Sequence, residues 1–229
     1  MQNMKGKQYQ GESLPYITIL PDDYDPAKNY PLIVMLHGFG ANMMDLTGLA
    51  PVINDTGYVY ACPNAPIRFD FGLGQMGYGW YPPRGQATAE EVQQAEDLVS
   101  GFLDEVFQEL RATPGQVVLL GFSQGGGMTY RCGIGRPEVF AGLACLSASM
   151  PNPQELESRL PASRAQPIFV AHGQADSLVS LESARNTRQF LEKAGYRPEY
   201  HEYQMAHEIS HEVLSDLTAW LTRVLPPLA

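Results

Sequence analysis

The chain has 229 residues, 44% of them hydrophobic, with 25 acidic against 15 basic side chains and a formal net charge of -10. That length suits one α/β domain over residues 1–229 with a full core. The acidic balance repels a phosphate backbone or an anionic membrane surface, which argues against nucleic-acid partners and against stable membrane association. Residues 1–14 are polar, no run of 18 apolar residues occurs, and Cys62, Cys132 and Cys145 form no C-x-x-C pair. A cytoplasmic protein with buried thiols is therefore expected.

Short apolar, β-rich segments begin at residues 16–20 and 32–36. The second runs straight into His37-Gly38-Phe39-Gly40, where glycines let the backbone bend so that an amide N–H can face a substrate carbonyl oxygen. A third strand is expected at 58–61. Residues 65–85 then form a long stretch rich in glycine and aromatics that follows neither the helical nor the strand period, as binding loops often do. Inside it, Gly72-Leu73-Gly74-Gln75-Met76-Gly77 matches G-x-G-x-x-G, but Tyr81-Pro82-Pro83 downstream cannot continue a helix, so no dinucleotide site is expected.

Residues 90–110 carry Val92, Ala95, Leu98, Val99, Phe102, Leu103, Val106 and Leu110 at spacings of three and four, one apolar stripe of a helix with Thr88 placed to cap it. The apolar run at 117–120 leads into Gly121-Phe122-Ser123-Gln124-Gly125, a G-x-S-x-G pattern between a strand and a helix-compatible stretch. A serine hydroxyl becomes a nucleophile when held exposed beside a base, and a sharp strand-to-helix turn provides that exposure. Ser123 is the candidate nucleophile, and the N–H of Gln124 next to it, with that of Phe39, the candidate oxyanion hole.

Further strands are expected at 142–146, 168–171 and 200–203, and helices at 181–194 and 209–224, the last with Val213, Leu217, Trp220, Leu221 and Val224 on one face. Several of the strand segments are continuous apolar runs, as strands buried on both faces require, so the sheet should be mostly parallel with helices on each side. His172-Gly173-Gln174-Ala175-Asp176 follows one strand and presents Asp176 as the acid; His207 follows the last strand and is the candidate base. The order Ser123, Asp176, His207 is that of an α/β-hydrolase. His207-Glu208-Ile209-Ser210-His211 also reads as H-E-x-x-H, a zinc-peptidase pattern, but the only acids after it are Glu212 and Asp216 on the same helix, and the pattern leaves Ser123 and Asp176 unexplained. A non-catalytic binding module is the third class.

Leu36-His37-Gly38-Phe39-Gly40, Pro63-Asn64-Ala65-Pro66, Gly121-Phe122-Ser123-Gln124-Gly125-Gly126, His172-Gly173-Gln174-Ala175-Asp176-Ser177-Leu178-Val179 and His207-Glu208-Ile209-Ser210 together resemble the phospholipase/carboxylesterase branch of the α/β-hydrolases, which includes the acyl-protein thioesterases. The resemblance implies an α/β-hydrolase fold and a Ser123, Asp176, His207 triad; the chain shows no inserted lid domain, and no metal or organic cofactor is expected. It departs at Trp80-Tyr81-Pro82, where the family has an aspartate after the aromatic pair, and at Ala206, where it has glycine. Phe71, Leu73, Met76, Trp80 and Tyr81 would line an acyl pocket or anchor the loop. The expected activity is that of a serine carboxylesterase acting on short- to medium-chain esters, with acyl-protein thioesterase or lysophospholipase as the alternative.

Overall fold

The computed structural model describes residues 4–72, 74–83 and 85–229. In chain order the elements are β1 (Lys5–Gln10), β2 (Pro15–Leu20), β3 (Leu32–Leu36), α1 (Ala50–Ile53), β4 (Val59–Pro63), β5 (Ile67–Asp70), β6 (Met76–Gly79), α2 (Ala89–Leu110), β7 (Val117–Phe122), α3 (Gln124–Gly133), β8 (Gly142–Leu146), α4 (Pro153–Glu157), β9 (Ile168–Gly173), α5 (Leu181–Lys193), β10 (Glu199–Tyr203) and α6 (His211–Val224). Eight strands form one sheet in the order β1-β2-β4-β3-β7-β8-β9-β10. Every pairing from β4 to β10 is parallel, while β2 runs antiparallel to both β1 and β4.

The continuous apolar strands follow from a sheet with two covered faces, because successive side chains point to opposite sides. Leu32, Val34 and Leu36 of β3 join Val99, Phe102, Leu103 and Val106 of α2 in one core cluster. Ile33 and Met35 of the same strand join Ala50 and Ile53 of α1 and Val213, Leu217, Trp220 and Leu221 of α6 in the other. The α2 stripe is thus the buried face, and its start is fixed as expected: Glu91 N–H donates to Thr88 Oγ1 at 3.2 Å and Thr88 N–H to Glu91 Oε2 at 2.8 Å.

Three features differ from expectation. Polar residues near the N-terminus form β1, an exposed edge strand whose lysines suit a position with one unpaired side. The stretch 65–85, expected to lack regular structure, contains the antiparallel hairpin β5–β6, with Ile67 opposite Gly79 and Asp70 opposite Met76. The last helix starts at His211 rather than 209, because Ser210 caps it by accepting the Val213 N–H at 3.3 Å.

Parallel strands place their carboxyl ends on one edge of the sheet. The residues following β3, β7, β9 and β10 therefore meet there, and these are the segments that carry His37 to Gly40, Ser123, Asp176 and His207.

Candidate active site

Between the last residue of β7 and the first of α3 stands a single residue, Ser123, with φ 54° and ψ -118°. A side chain in that region is strained, and the surroundings hold it: Ser123 N–H donates to Leu146 O at 2.9 Å and Ser123 O accepts from Gly127 N–H at 3.1 Å. The turn also needs close backbone approach. A Cβ on Gly121 would run into the Gly125 carbonyl, and one on Gly125 into the Leu36 carbonyl. Gln124 opens α3, so its backbone N–H is one of the amides that a helix start leaves without an intrahelical partner.

Asp176 and His207 are brought together by stitching between the turns after β9 and β10. Gln174 N–H donates to Tyr203 O at 2.8 Å and Ala175 N–H to Met205 O at 3.1 Å. Across this seam His207 Nδ1 lies 2.7 Å from Asp176 Oδ2, while Asp176 Oδ1 accepts the amides of Leu178 and Val179, each at 2.9 Å. Burial alone pushes the Asp176 carboxyl up, but the hydrogen bonds from His207, Val179 and Leu178 outweigh it and hold it below the usual aspartate range. With Nδ1 committed to Asp176, His207 has Nε2 left for proton transfer. Its ring packs at 4.8 Å against Phe122, the residue that precedes Ser123.

The segment after β3 passes beside Ser123. A Cβ on Gly38 would sit 3.3 Å from Ser123 Cβ and 3.2 Å from Phe122 Cδ1, a tight fit that glycine relieves. His37 fastens it: Nδ1 donates to Gly38 O at 2.8 Å, Nε2 accepts Ala65 N–H at 3.0 Å, and the carbonyl accepts Trp80 Nε1–H at 2.9 Å. Burial pushes the His37 imidazole down to about 4, which keeps Nε2 an acceptor.

The β5–β6 hairpin lies over this segment, with Gly40 N–H donating to Tyr78 O and Tyr78 N–H to Ala41 O, both at 2.8 Å. Phe39 packs its ring 4.8 Å from Phe69 and 6.2 Å from Phe71, and Phe71 remains 52% exposed. Met76 and Tyr81 are half-buried, Met76 opposite Asp70 in the hairpin and Tyr81 with its hydroxyl facing Gly127 of α3. Trp80 corrects the pocket reading: it is 1% exposed, bonded through its indole to the His37 carbonyl and packed with its ring tilted against that imidazole at 5.4 Å, and so anchors the loop. Leu73 lies outside the described residues. Phe69, Phe122 and the Gln124 side chain were not singled out from sequence; the alternation Ile67, Phe69, Phe71 was the available signal for the first.

The phospholipase/carboxylesterase family model matches residues 24–225. The chain belongs to that family. Among its relatives, acyl-protein thioesterase 1 of Mycosarcoma maydis is 28% identical over 237 residues, covering 91% of this chain and 97% of that one. A probable carboxylesterase of Oryza sativa subsp. japonica is 27% identical, covering 85% and 78%. The crystal structure of esterase PE8 superposes with a TM-score of 0.77 at 24% identity, covering 97% of this chain and 100% of that one, a likeness in fold. The family and these relatives support ester or thioester hydrolysis.

Within this phospholipase/carboxylesterase chain the H-E-x-x-H pattern is not a helical ligand pair. His207 precedes the Ser210 cap and His211 is the first residue of α6, so the two imidazoles do not stand one turn apart on a helix. Two concavities, of about 530 and 600 Å³, lie elsewhere. The first is lined by Arg164, Arg197 and Arg223 at the amino ends of β9 and β10, across the sheet from Ser123; the second borders α2 beside Glu12, Asp104 and Glu105. No described helix is long and apolar enough to cross a membrane.

Proposed function

We propose that this protein is a serine carboxylesterase, active on short- to medium-chain carboxylic esters through an acyl-enzyme. The observation that carries the reading is the 2.7 Å contact between His207 Nδ1 and Asp176 Oδ2, with the His207 ring held against the residue preceding a strained Ser123. In this mechanism His207 Nε2 takes the Ser123 proton as Oγ attacks the ester carbonyl carbon. Asp176 holds the tautomer and stabilises the imidazolium. The amides of Phe39 and Gln124 receive the oxyanion, each such donor contributing about 2.7–4 kcal/mol. Collapse expels the alcohol with the proton from His207. Water, deprotonated by the same imidazole, then attacks the acyl-enzyme and frees Ser123.

The exposed rings of Phe39 and Phe71, with the half-buried Phe69 packed against Phe39, offer an apolar wall for the acyl chain beside this point. Thioester hydrolysis is the second reading, favoured by the relatives named acyl-protein thioesterase. The three free, buried cysteines support a reducing, cytoplasmic setting.

The test is hydrolysis of p-nitrophenyl esters from acetate to decanoate, and of the matched S-acyl thioesters, by wild type and Ser123→Ala. The expected result is highest kcat/KM for oxygen esters of short or medium chain and loss of turnover by several orders of magnitude in the variant. A persistent preference for thioesters would establish the second reading, and undiminished turnover by Ser123→Ala would end both.

A further inference from the structure

His172 is a fully buried imidazole that the mechanism above does not use. It ends β9, four residues before Asp176, and its Nε2 lies 2.8 Å from Val179 O and 3.5 Å from Asp176 Oδ2. A carbonyl oxygen only accepts, so Nε2 carries the proton. Nδ1 is buried without a partner among the described residues, so a second proton there would have no acceptor.

These contacts close a small circuit. Asp176 Oδ1 takes the Leu178 and Val179 amides, and Val179 returns its carbonyl to His172, whose N–H dipole then borders Asp176 Oδ2, the oxygen facing His207. The turn is otherwise open on its outer side, where Leu178 is 71% exposed. Without the histidine donor, Val179 O loses a buried partner, the 176–179 turn loses its inner fastening, and Oδ2 can rotate off Nδ1.

We propose that His172 is a positioning residue for the catalytic acid: its Nε2–H clamps the Asp176 turn so that Oδ2 meets His207 Nδ1. The proposal rests on the serine-hydrolase reading. The groups facing Asp176 are His207, His172 and the amides of Leu178 and Val179, so the clamp acts on the acid and through it on the base.

The experiment compares wild type, His172→Phe, His172→Gln and Ser123→Ala in p-nitrophenyl butyrate hydrolysis across pH, with the low-field proton resonance of the Asp176–His207 hydrogen bond recorded for each. His172→Phe keeps a ring but no donor; His172→Gln places an amide N–H near Nε2. Expected for His172→Phe are a kcat lower by about 30-fold or more, KM within about 2-fold, an acid limb moved to lower pH because the imidazolium loses its partner, and a lost or weakened low-field resonance. His172→Gln should recover most of kcat and the resonance. Wild-type kcat and resonance in His172→Phe would overturn the proposal, as would equal losses in both variants with the resonance intact, which would mark a packing role. Should His172→Phe fail to fold, ¹⁵N shifts of the wild-type imidazoles decide: Nε2–H at His172 supports the clamp, and Nδ1–H overturns it. Full activity in Ser123→Ala would overturn the serine-hydrolase reading and the clamp's catalytic meaning with it; loss there with none in His172→Phe overturns the clamp alone.

Discussion

The side chain of Gln124 accepts the backbone N–H of Trp80 at 2.9 Å, and its own amide donates to Tyr81 O at the same distance. One residue therefore presents a backbone N–H beside Ser123 and uses its side chain to hold the segment that leads from the aromatic hairpin. Gln124→Ala keeps the first role and removes the second, taking from the part-buried Trp80 N–H its side-chain acceptor. Stability should fall by about 1–3 kcal/mol. Because the hairpin loosens while the Gln124 backbone N–H stays beside Ser123, KM for medium-chain esters should rise more than kcat falls. Steady-state kinetics over an ester series test this, and a fall confined to kcat would show that the side chain acts on the oxyanion instead.

His37 gives the fold a defined sensitivity to acid. Its imidazole titrates at 6.5 when unfolded and about 4 when folded, because burial disfavours the cation. Between those values the unfolded chain binds more protons, so stability rises with pH and is lost as pH falls from 6.5 toward 4. The loss across this range is on the order of 3 kcal/mol. Urea unfolding from pH 7 to pH 4 should show this loss in wild type and a smaller one in His37→Gln. Equal slopes in the two proteins would place the acid sensitivity elsewhere. Asp176 acts in a separate window: its lowered pKa contributes stability above the ordinary aspartate value of 3.8 that is lost as pH falls through the lower folded value.

What could be read from sequence follows from what each element must bury. β3, β7, β8 and β9 are apolar on both faces because both are covered, and the continuous runs declare it. β5 alternates partly buried with exposed positions, and β6, with Gly77 and Gly79, partly buried with buried ones, over only four residues each, too short a signal to separate from an irregular loop. β1 is legible only through its pairing with β2, since its own residues are polar. At the site, the residue types and order of Ser123, Asp176 and His207 stood out. The fastening did not, because His37 to Ala65, Gln124 to Trp80 and His172 to Val179 are pairings made by tertiary structure, with no period to reveal them. Trp80 shows the same limit: aromatic composition cannot distinguish a pocket wall from an anchor, and its indole bond to His37 does.

A buried ionic network binds the helices behind Ser123. Arg131 of α3 and Glu96 of α2 are both nearly inaccessible, with Arg131 Nε 2.9 Å from Glu96 Oε2 and Arg131 Nη2 2.8 Å from Glu155 Oε1 of α4. Arg159 completes it through Glu96, and the Arg131 hydrogen bond holds the Glu155 carboxyl below its ordinary range. Removing one partner strands a charge, so Glu96→Ala should cost about 3–5 kcal/mol, whereas Glu96→Leu with Arg131→Met should recover much of it. Glu155→Gln, at the exposed end, should cost under about 1 kcal/mol. Denaturant midpoints at one pH measure all three, and a Glu96→Ala effect as small as that of Glu155→Gln would show that water reaches the network.

Ser123 itself should cost stability. Its φ of 54° and ψ of -118° place an L side chain where few residues sit, a conformation worth about 1–3 kcal/mol of strain. Ser123→Gly removes the Cβ and relieves that strain, against about 0.4–1 kcal/mol lost through the freer unfolded chain. A net gain of about 1 kcal/mol should remain, visible as a higher urea midpoint at unchanged m. Ser123→Ala keeps the Cβ and should gain less. Both variants lose the Ser123 hydroxyl, so activity does not separate them, but stability can. Identical midpoints for the two would mean that the surrounding contacts, Leu146 and Gly127 among them, have relaxed the turn and that Ser123 is held without strain.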